Sequence, residues 1–572
     1  MSTDIGEDDD RAHDANWQAF VNPPDEARPR AWWHWMDGNI DPAGIVRDLT
    51  WLHGAGVRGV QLFDGGMGVP LVVPSPVRPG SAAWTEAVDT AVRTADELGL
   101  ELAVATSSGW SAAGGPWVEP ADAMKKVVWS EQVVDGGRRV QVALRPLPAV
   151  AGLYQDSPKW GSAPNGASAD AGTSGFSTDW VVLAVPHDAS SDVLQPTTVA
   201  AASAPVGDWT CLVDGSFGDS LSLPRNPDAP SSAWIEQCFD EPVTVRSVVA
   251  GLPGPRGFGA APPPEALLQA SDDGIDYRNV VRLDPTTVPA RSASFPPVTA
   301  RRFRLVLSGD SAADALPTLA EGVRLPPVLR RADAFVISEF ALRSAGRVHH
   351  AEAKAGFGVV PDYFAVDTDP QADSASIDPA TVIDVTPFIA EDQLRWKAPP
   401  GRWRVLRLGA SLTGQTNGPA PADSTGLEVD KLDGQRVAAY LETHLARFGD
   451  SRDAGTTPSR FSALLSDSIE AGPQNWTDRI REQFTSRRGY DPLPWLPALA
   501  GYLVGSPSES DRFLFDYRRT LAELFADEYY GTLSAEAHRR GMSYYSEALE
   551  DGRPQLGDDL AMRSHADVPM GA

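Results

Sequence analysis

The segment Leu464-Leu465-Ser466-Asp467-Ser468-Ile469-Glu470 constrains the fold of this chain more than any other. An apolar run stops at two acids, Ala471-Gly472-Pro473 breaks the backbone, and an amphipathic helix follows from about Trp476. A buried strand that ends on carboxylates just ahead of a helix is where a β/α barrel places its chemistry. Two other segments end in the same way. Gly59-Val60-Gln61-Leu62-Phe63 closes on Asp64, and Met542-Ser543-Tyr544-Tyr545-Ser546 delivers Glu547.

The stretches between such strands read as helices. Asp41-Pro42 predicts an N-cap followed by proline at the first helical position, with Ile45, Leu49 and Leu52 at helical spacing. Ser81 predicts a second cap, ahead of Trp84, Val88, Val92, Ala95 and Leu98 on one face. With strands at Trp32–Met36, 59–64 and Leu102–Thr106, this is β-α-β-α-β with short connections, which implies a parallel sheet.

From about residue 126 to 400 helical periodicity gives way to short alternating strands punctuated by proline and glycine, and residues 161–177 read as a flexible linker. Barrel-like grammar returns at Trp403–Gly409. A long loop from Thr413 to Glu428 follows, then a helix carrying Val437, Tyr440, Leu441 and Leu445, and a long helix from about Asp511 to Arg540. About seven barrel strands are predicted. The expected fold is therefore α/β, a (β/α)8-type barrel incomplete at its C-terminal end and interrupted by an all-β region. The expected divisions are an acidic arm (1–25), a first barrel part (26–130), a β-rich insert and linker (131–204), a β-sandwich (205–345), a β-rich return segment (346–400) and a second barrel part (401–572).

Composition narrows the partners. Among 572 residues the net charge is −28, which repels phosphate backbones, so nucleic acid is not expected, and a neutral ligand such as a sugar fits better. The 17 tryptophans serve equally as sugar platforms or as core filler. Cys211 and Cys238 are read as two free buried thiols. No signal peptide and no apolar run of membrane-spanning length is visible, so the chain is expected in the cytoplasm and off the membrane. The sequence leaves the oligomeric state open.

Several motifs together resemble glycoside hydrolase family 106, the α-L-rhamnosidases. They are Arg28-Pro29-Arg30-Ala31-Trp32-Trp33-His34-Trp35-Met36-Asp37-Gly38-Asn39-Ile40, the strand 59–64, Trp396–Trp403, Gly426–Leu432, Asp467-Ser468-Ile469-Glu470, Arg487–Asp491 and Asp567-Val568-Pro569-Met570-Gly571. The resemblance implies an inverting, calcium-dependent hydrolase on a barrel with appended β-domains, and it implies that Glu470 is the general acid. The family's second acid follows the Pro-Met-Gly element, where this chain has Ala572. Three stretches of the sandwich, Leu212–Gly215, Ala270–Gly274 and Phe295–Leu305, resemble discoidin-like, galactose-binding modules.

Inversion needs two carboxyl groups about 6.5–9.5 Å apart, one protonated and one ionised, with room for a water between them. Glu470 is the candidate acid, its pKa expected to be raised by Asp467 or by a wall of tryptophans. Glu547 is the candidate base, with Glu550 as its substitute. His34, Trp35, Asp64, Trp110, Glu428, Lys431 and Asp467 are expected as a set to line the sugar pocket, although each taken singly reads more readily as a structural residue. Calcium is implied by the resemblance alone. The sequence identifies no ligand set, beyond Asp214 on a turn as a structural candidate. The expected function is removal of terminal α-L-rhamnosyl groups, the alternative a degenerate barrel that binds carbohydrate without cleaving it.

Overall fold

The computed structural model describes residues 15–158, 175–201, 206–226, 229, 231–254, 263–309, 334–359, 375–450, 459–549 and 556–571. Most of the predicted linker at 161–177, together with Glu550 and Ala572, lies outside them.

The chain opens with β1 (Arg30–Met36), α1 (Pro42–Gly54), β2 (Gly59–Gly65), α2 (Ala82–Leu98) and β3 (Glu101–Ala105). The caps form as predicted. The Asp41 carboxylate accepts from the Gly44 N–H and Ser81 Oγ accepts from the Trp84 N–H, which satisfies donors that the first helical turn cannot. The β-rich region follows, with β4 (Lys125–Asp135), β5 (Ser177–Pro186), β6 (Ser232–Gly251), β7 (Ala290–Ser308) and β8 (Arg402–Leu412) as its principal strands. The last part contains α3 (Gly434–Arg447), β9 (Ala463–Ser466), α4 (Ile480–Arg488), α5 (Pro507–Leu524), β10 (Ser543–Ser546) and β11 (Val568–Pro569). The predicted long helix is α5 continued by a π-helical turn, Phe525–Gly531, and by Thr532–Arg539.

Strands β1, β2, β3, β9, β10 and β11 form one sheet in that order, all parallel. The β3–β9 pairing, Ala103 with Ala463, joins the two halves of the chain across the whole insert. The sheet is open among the described residues, with β1 and β11 as its edges, so the structure is a mixed α/β fold with several sheets, and the described residues form no closed barrel. The predicted barrel strand at 403–409 belongs elsewhere. It lies within β8, which runs antiparallel between β4 and β5. Buried on both faces from Trp403 onward, β8 resembles a central parallel strand without being one.

The insert is nested. The four-stranded antiparallel sheet built on β4, β8 and β5 is faced by a three-stranded sheet from residues 139–143, 389–390 and 393–397, with a small core between them. Inside that unit sits the sandwich. A six-stranded antiparallel sheet centred on β6 and β7 shares one apolar core with the pair 221–224 and 334–337. Cys211 and Cys238 are free and half-buried. No helix among the described residues is long and apolar enough to cross a membrane.

Candidate functional site

Side chains alternate across a strand, and the parallel sheet separates two environments accordingly. Trp33 and Trp35 of β1 join Leu49, Val60, Leu62 and Val104 in the main core under the helices. Phe63, Ala103, Ala105, Ala463, Leu465 and Tyr545 form a separate cluster on the other face, with Trp110 and Met570 packed against it. The three alanines leave this inner face shallow at its centre. At its floor, the strands' amino ends carry a polar triad. Arg30 donates to Glu101 (2.6 Å) and to the Tyr545 hydroxyl (3.1 Å), and that hydroxyl donates to Glu101 (3.0 Å).

The carboxyl ends of the strands carry the acids. Ser466 of β9 is paired with Ser546 of β10, and the Glu547 N–H donates to the Ser466 carbonyl at 3.0 Å. Asp467 and Glu547 therefore leave adjacent strand ends side by side. Both follow the parity of Leu465 and Tyr545, toward the inner face, and both are buried. The chains stay together one step further, where the Ile469 N–H donates to the Ala548 carbonyl at 3.0 Å, which brings Glu470 to the same rim. Asp467 is steadied by the Ser468 N–H (2.8 Å), and Glu470 accepts from Ser468 Oγ (3.3 Å). Glu470 itself is exposed and not enclosed by the expected apolar wall.

His34 completes the rim from β1. Its ring stacks on Phe63, and its Nε2 accepts from the Trp110 indole N–H at 2.9 Å. An indole nitrogen only donates, so the imidazole proton sits on Nδ1. Partial burial lowers the His34 pKa and keeps the ring neutral.

Such a rim supplies what acid–base chemistry on a neutral ring requires, namely several carboxyl groups on one face with a neutral donor opposite. The sequence profile of the alpha-L-rhamnosidases, glycoside hydrolase family 106, matches residues 21–572. The chain belongs to that family. A solved rhamnosidase from Novosphingobium sp. PP1Y is 41% identical, with a TM-score of 0.83 over 96% of this chain and 48% of its own. A Formosa agariphila protein named "Putative beta-glucuronidase" is 25% identical over 558 residues, 96% of this chain and 32% of the relative. The family-106 chain thus spans about half the length of the first and about a third of the second.

Four of the expected pocket residues in this family-106 chain lie elsewhere. Trp35 and Asp64 are register partners, both of opposite parity to His34, so they face the helices. Asp64 is buried there, accepts from Ser108 Oγ at 3.3 Å, and is pushed up to about 7 by desolvation, against the pull of the nearby Arg447 guanidinium. Glu428 and Lys431 form a fully buried ion pair at 2.6 Å, with the Ala113 N–H as a further donor to the same carboxylate oxygen. They brace the loop before α3 and do not reach the inner face.

Sequence reading also missed the groups that hold the rim. The Tyr440 hydroxyl donates to the Thr106 and Gly114 carbonyls, and His444 bonds the Ala105 carbonyl, so two successive turns of α3 clamp the end of β3. Burial drives His444 down to about 4, leaving it neutral. The long loop 413–428 lies against glycines at the strand exits. A Cβ on Gly66 would fall 2.6 Å from the Pro421 nitrogen, and one on Gly109 (φ +81) would fall 2.7 Å from the Gly418 carbonyl carbon. The i, i+4 spacing of Tyr440 and His444 was visible in the sequence, but it reads equally as core.

Calcium, implied by the family, takes six to eight hard oxygens. Among the described residues no group of three or more His, Cys, Asp or Glu could hold a metal ion, and the rim acids provide no such cage. The sandwich does carry orphaned oxygens. Glu339 Oε2 and Ser338 Oγ are buried without a protein partner. Desolvation raises the Glu339 carboxyl well above its usual range, against the pull of the Arg343 guanidinium and with Asp214 and Asp156 adding to the rise.

Proposed function

We propose that this family-106 chain carries the hydrolytic centre of an inverting α-L-rhamnosidase. The observation that supports it best is the pairing of Ser466 with Ser546, which sends Asp467 and Glu547 off adjacent strand ends onto the face that also presents Glu470 and His34. In this reading Glu470, in contact with solvent, donates its proton to the leaving oxygen. Glu547 receives the proton of the attacking water. Asp467 stands beside them as a fixed charge that holds the Glu470 proton on, and His34 offers its Nδ1–H to a sugar oxygen. The succession of the six parallel strands β1, β2, β3, β9, β10 and β11 in chain order supports a further part of the proposal, that the sheet is an arc of a β/α barrel. Calcium has no step at the rim. The reading assigns it to the sandwich beside Glu339, whose Oε2 lacks a protein partner, with Asp214 nearby.

The test is release of rhamnose from an aryl α-L-rhamnoside, with the anomeric form of the product followed by NMR. Glu470→Gln is expected to abolish turnover of the aryl-free glycoside and to spare more of it on an activated leaving group, which needs less protonation. Full activity of that variant on both substrates would refute the assignment. The open inner face supports a second reading, a sugar-binding protein without turnover. Calorimetric binding of rhamnose with no hydrolysis by the wild-type chain would select it.

A further inference from the structure

A cavity of about 300 Å³ lies between β5, the turn after the short strand Ile383–Asp384, and α4. None of its lining residues belongs to the strand-end rim. Its aromatic wall is Trp180, and the backbone is built to aim that side chain. Between β8 and β5, Leu408 pairs with Val181 and Gly409 with Asp179, so Trp180 is the extra residue of a β-bulge. A bulge re-aims a side chain and leaves the extra residue outside the ladder. The bulge also depends on the glycine opposite, since a Cβ on Gly409 would lie 2.3 Å from the Thr178 carbonyl oxygen. Trp180 is half-buried and braced edge-on against the buried Trp476, with ring centroids 6.5 Å apart.

The polar wall comes from two other segments. Asp384 accepts the Thr386 N–H through Oδ1. Asp478 accepts from Arg436 through Oδ2. Arg481 is forked onto Asp491 through Nε (2.9 Å) and Nη2 (2.6 Å). Each is fixed through one end and keeps another atom for a ligand, and Glu482 stands largely exposed beside them. Three carboxylates against one guanidinium exclude an anion, and no three acids converge to hold a metal ion among the described residues. A flat ring beside anchored acceptors that outnumber donors suits a neutral ring rich in hydroxyl groups.

We propose that this cavity is a second saccharide-holding site, separate from the hydrolytic rim, which takes a neutral glycosyl unit of a longer glycan. The proposal does not depend on turnover, so its test is a binding measurement. The probe is a neutral rhamnan in an affinity gel, run with the full chain carrying Glu470→Gln so that the polymer survives. Adding Trp180→Ala is expected to weaken retention by about tenfold, the value of one lost stacking platform. Asp384→Asn, which keeps the Thr386 contact, is expected to weaken it less. In the otherwise wild-type chain Trp180→Ala is expected to leave kcat/KM on an aryl rhamnoside within about twofold. Retention unchanged in both variants, or no retention of the Glu470→Gln parent, overturns the proposal. An equal loss of aryl rhamnoside turnover also overturns it, since the cavity would then belong to the rim. Trp180→Phe, which keeps a ring and the bulge, guards against misfolding of the alanine variant, and retention as weak as with alanine counts against stacking.

Discussion

The indole N–H of Trp110 donates to Nε2 of His34 across 2.9 Å, and this bond fixes which imidazole nitrogen keeps its proton. Trp110→Phe removes the donor and keeps the ring. The His34 pKa, now held down by burial, is expected to rise, because Nε2 becomes free to take a proton. NMR titration of the imidazole measures this directly. The parallel expectation is a fall in kcat/KM of about tenfold, the worth of one oriented hydrogen bond.

The Glu428–Lys431 pair is a structural strut, and its variants should show it. Lys431→Met leaves a buried carboxylate with one fewer partner and is expected to cost about 3–5 kcal/mol in urea unfolding. The double variant Glu428→Gln, Lys431→Met is expected to recover much of that loss, since no unpaired charge remains. A single variant as stable as the wild type would show that the loop does not rely on the pair.

Asp64 predicts a pH dependence of stability with a definite sign. Its folded pKa of about 7 stands above the ordinary 3.8, so between those values the folded chain holds a proton that the unfolded chain has lost. Its contribution is greatest below about pH 4, declines through pH 7, and is flat beyond, an effect on the order of 4 kcal/mol at most. Asp64→Asn is expected to flatten that part of the profile and to stabilise the fold most above pH 7, as read from thermal melts at a series of pH values.

The calcium proposed at the sandwich has a readout independent of catalysis. Chelation with EDTA is expected to lower the melting temperature of the wild-type chain, and Glu339→Gln, which supplies a neutral side chain of the same shape, is expected to melt the same with and without chelator. Equal melting of the wild type in both conditions would remove the metal from that position.

The elements nearest the rim were the most legible in the sequence. Asp41-Pro42 and Ser81 marked helix starts that the backbone confirms, because a cap satisfies specific N–H groups and leaves a local signature. The acids after β9 and β10 were legible because an abrupt change from apolar to charged residues coincides with a strand end. Strand faces were not. Trp32-Trp33-His34-Trp35 is aromatic on both sides, so nothing in the sequence tells that His34 faces the rim and Trp35 the helices. The assignment of β8 to the barrel failed for a related reason, since burial on two faces looks alike in parallel and antiparallel sheets. The buried ion pair, three residues apart, looked like two polar loop residues because the distant segments that bury it, such as the one carrying Ala113, converge on it only in the fold.

The seam between β3 and β9 has a consequence for synthesis. Leu102 and Ser462, bonded across it, are 360 positions apart. The amino-terminal three strands leave the ribosome long before their partners exist, with Phe63 and the Ala103 edge awaiting cover. Such late, distant closure is slow and exposes sticky surface. Prompt folding of the nested β units, which draws β3 and β9 toward each other, sets how long the nascent chain stays vulnerable to aggregation.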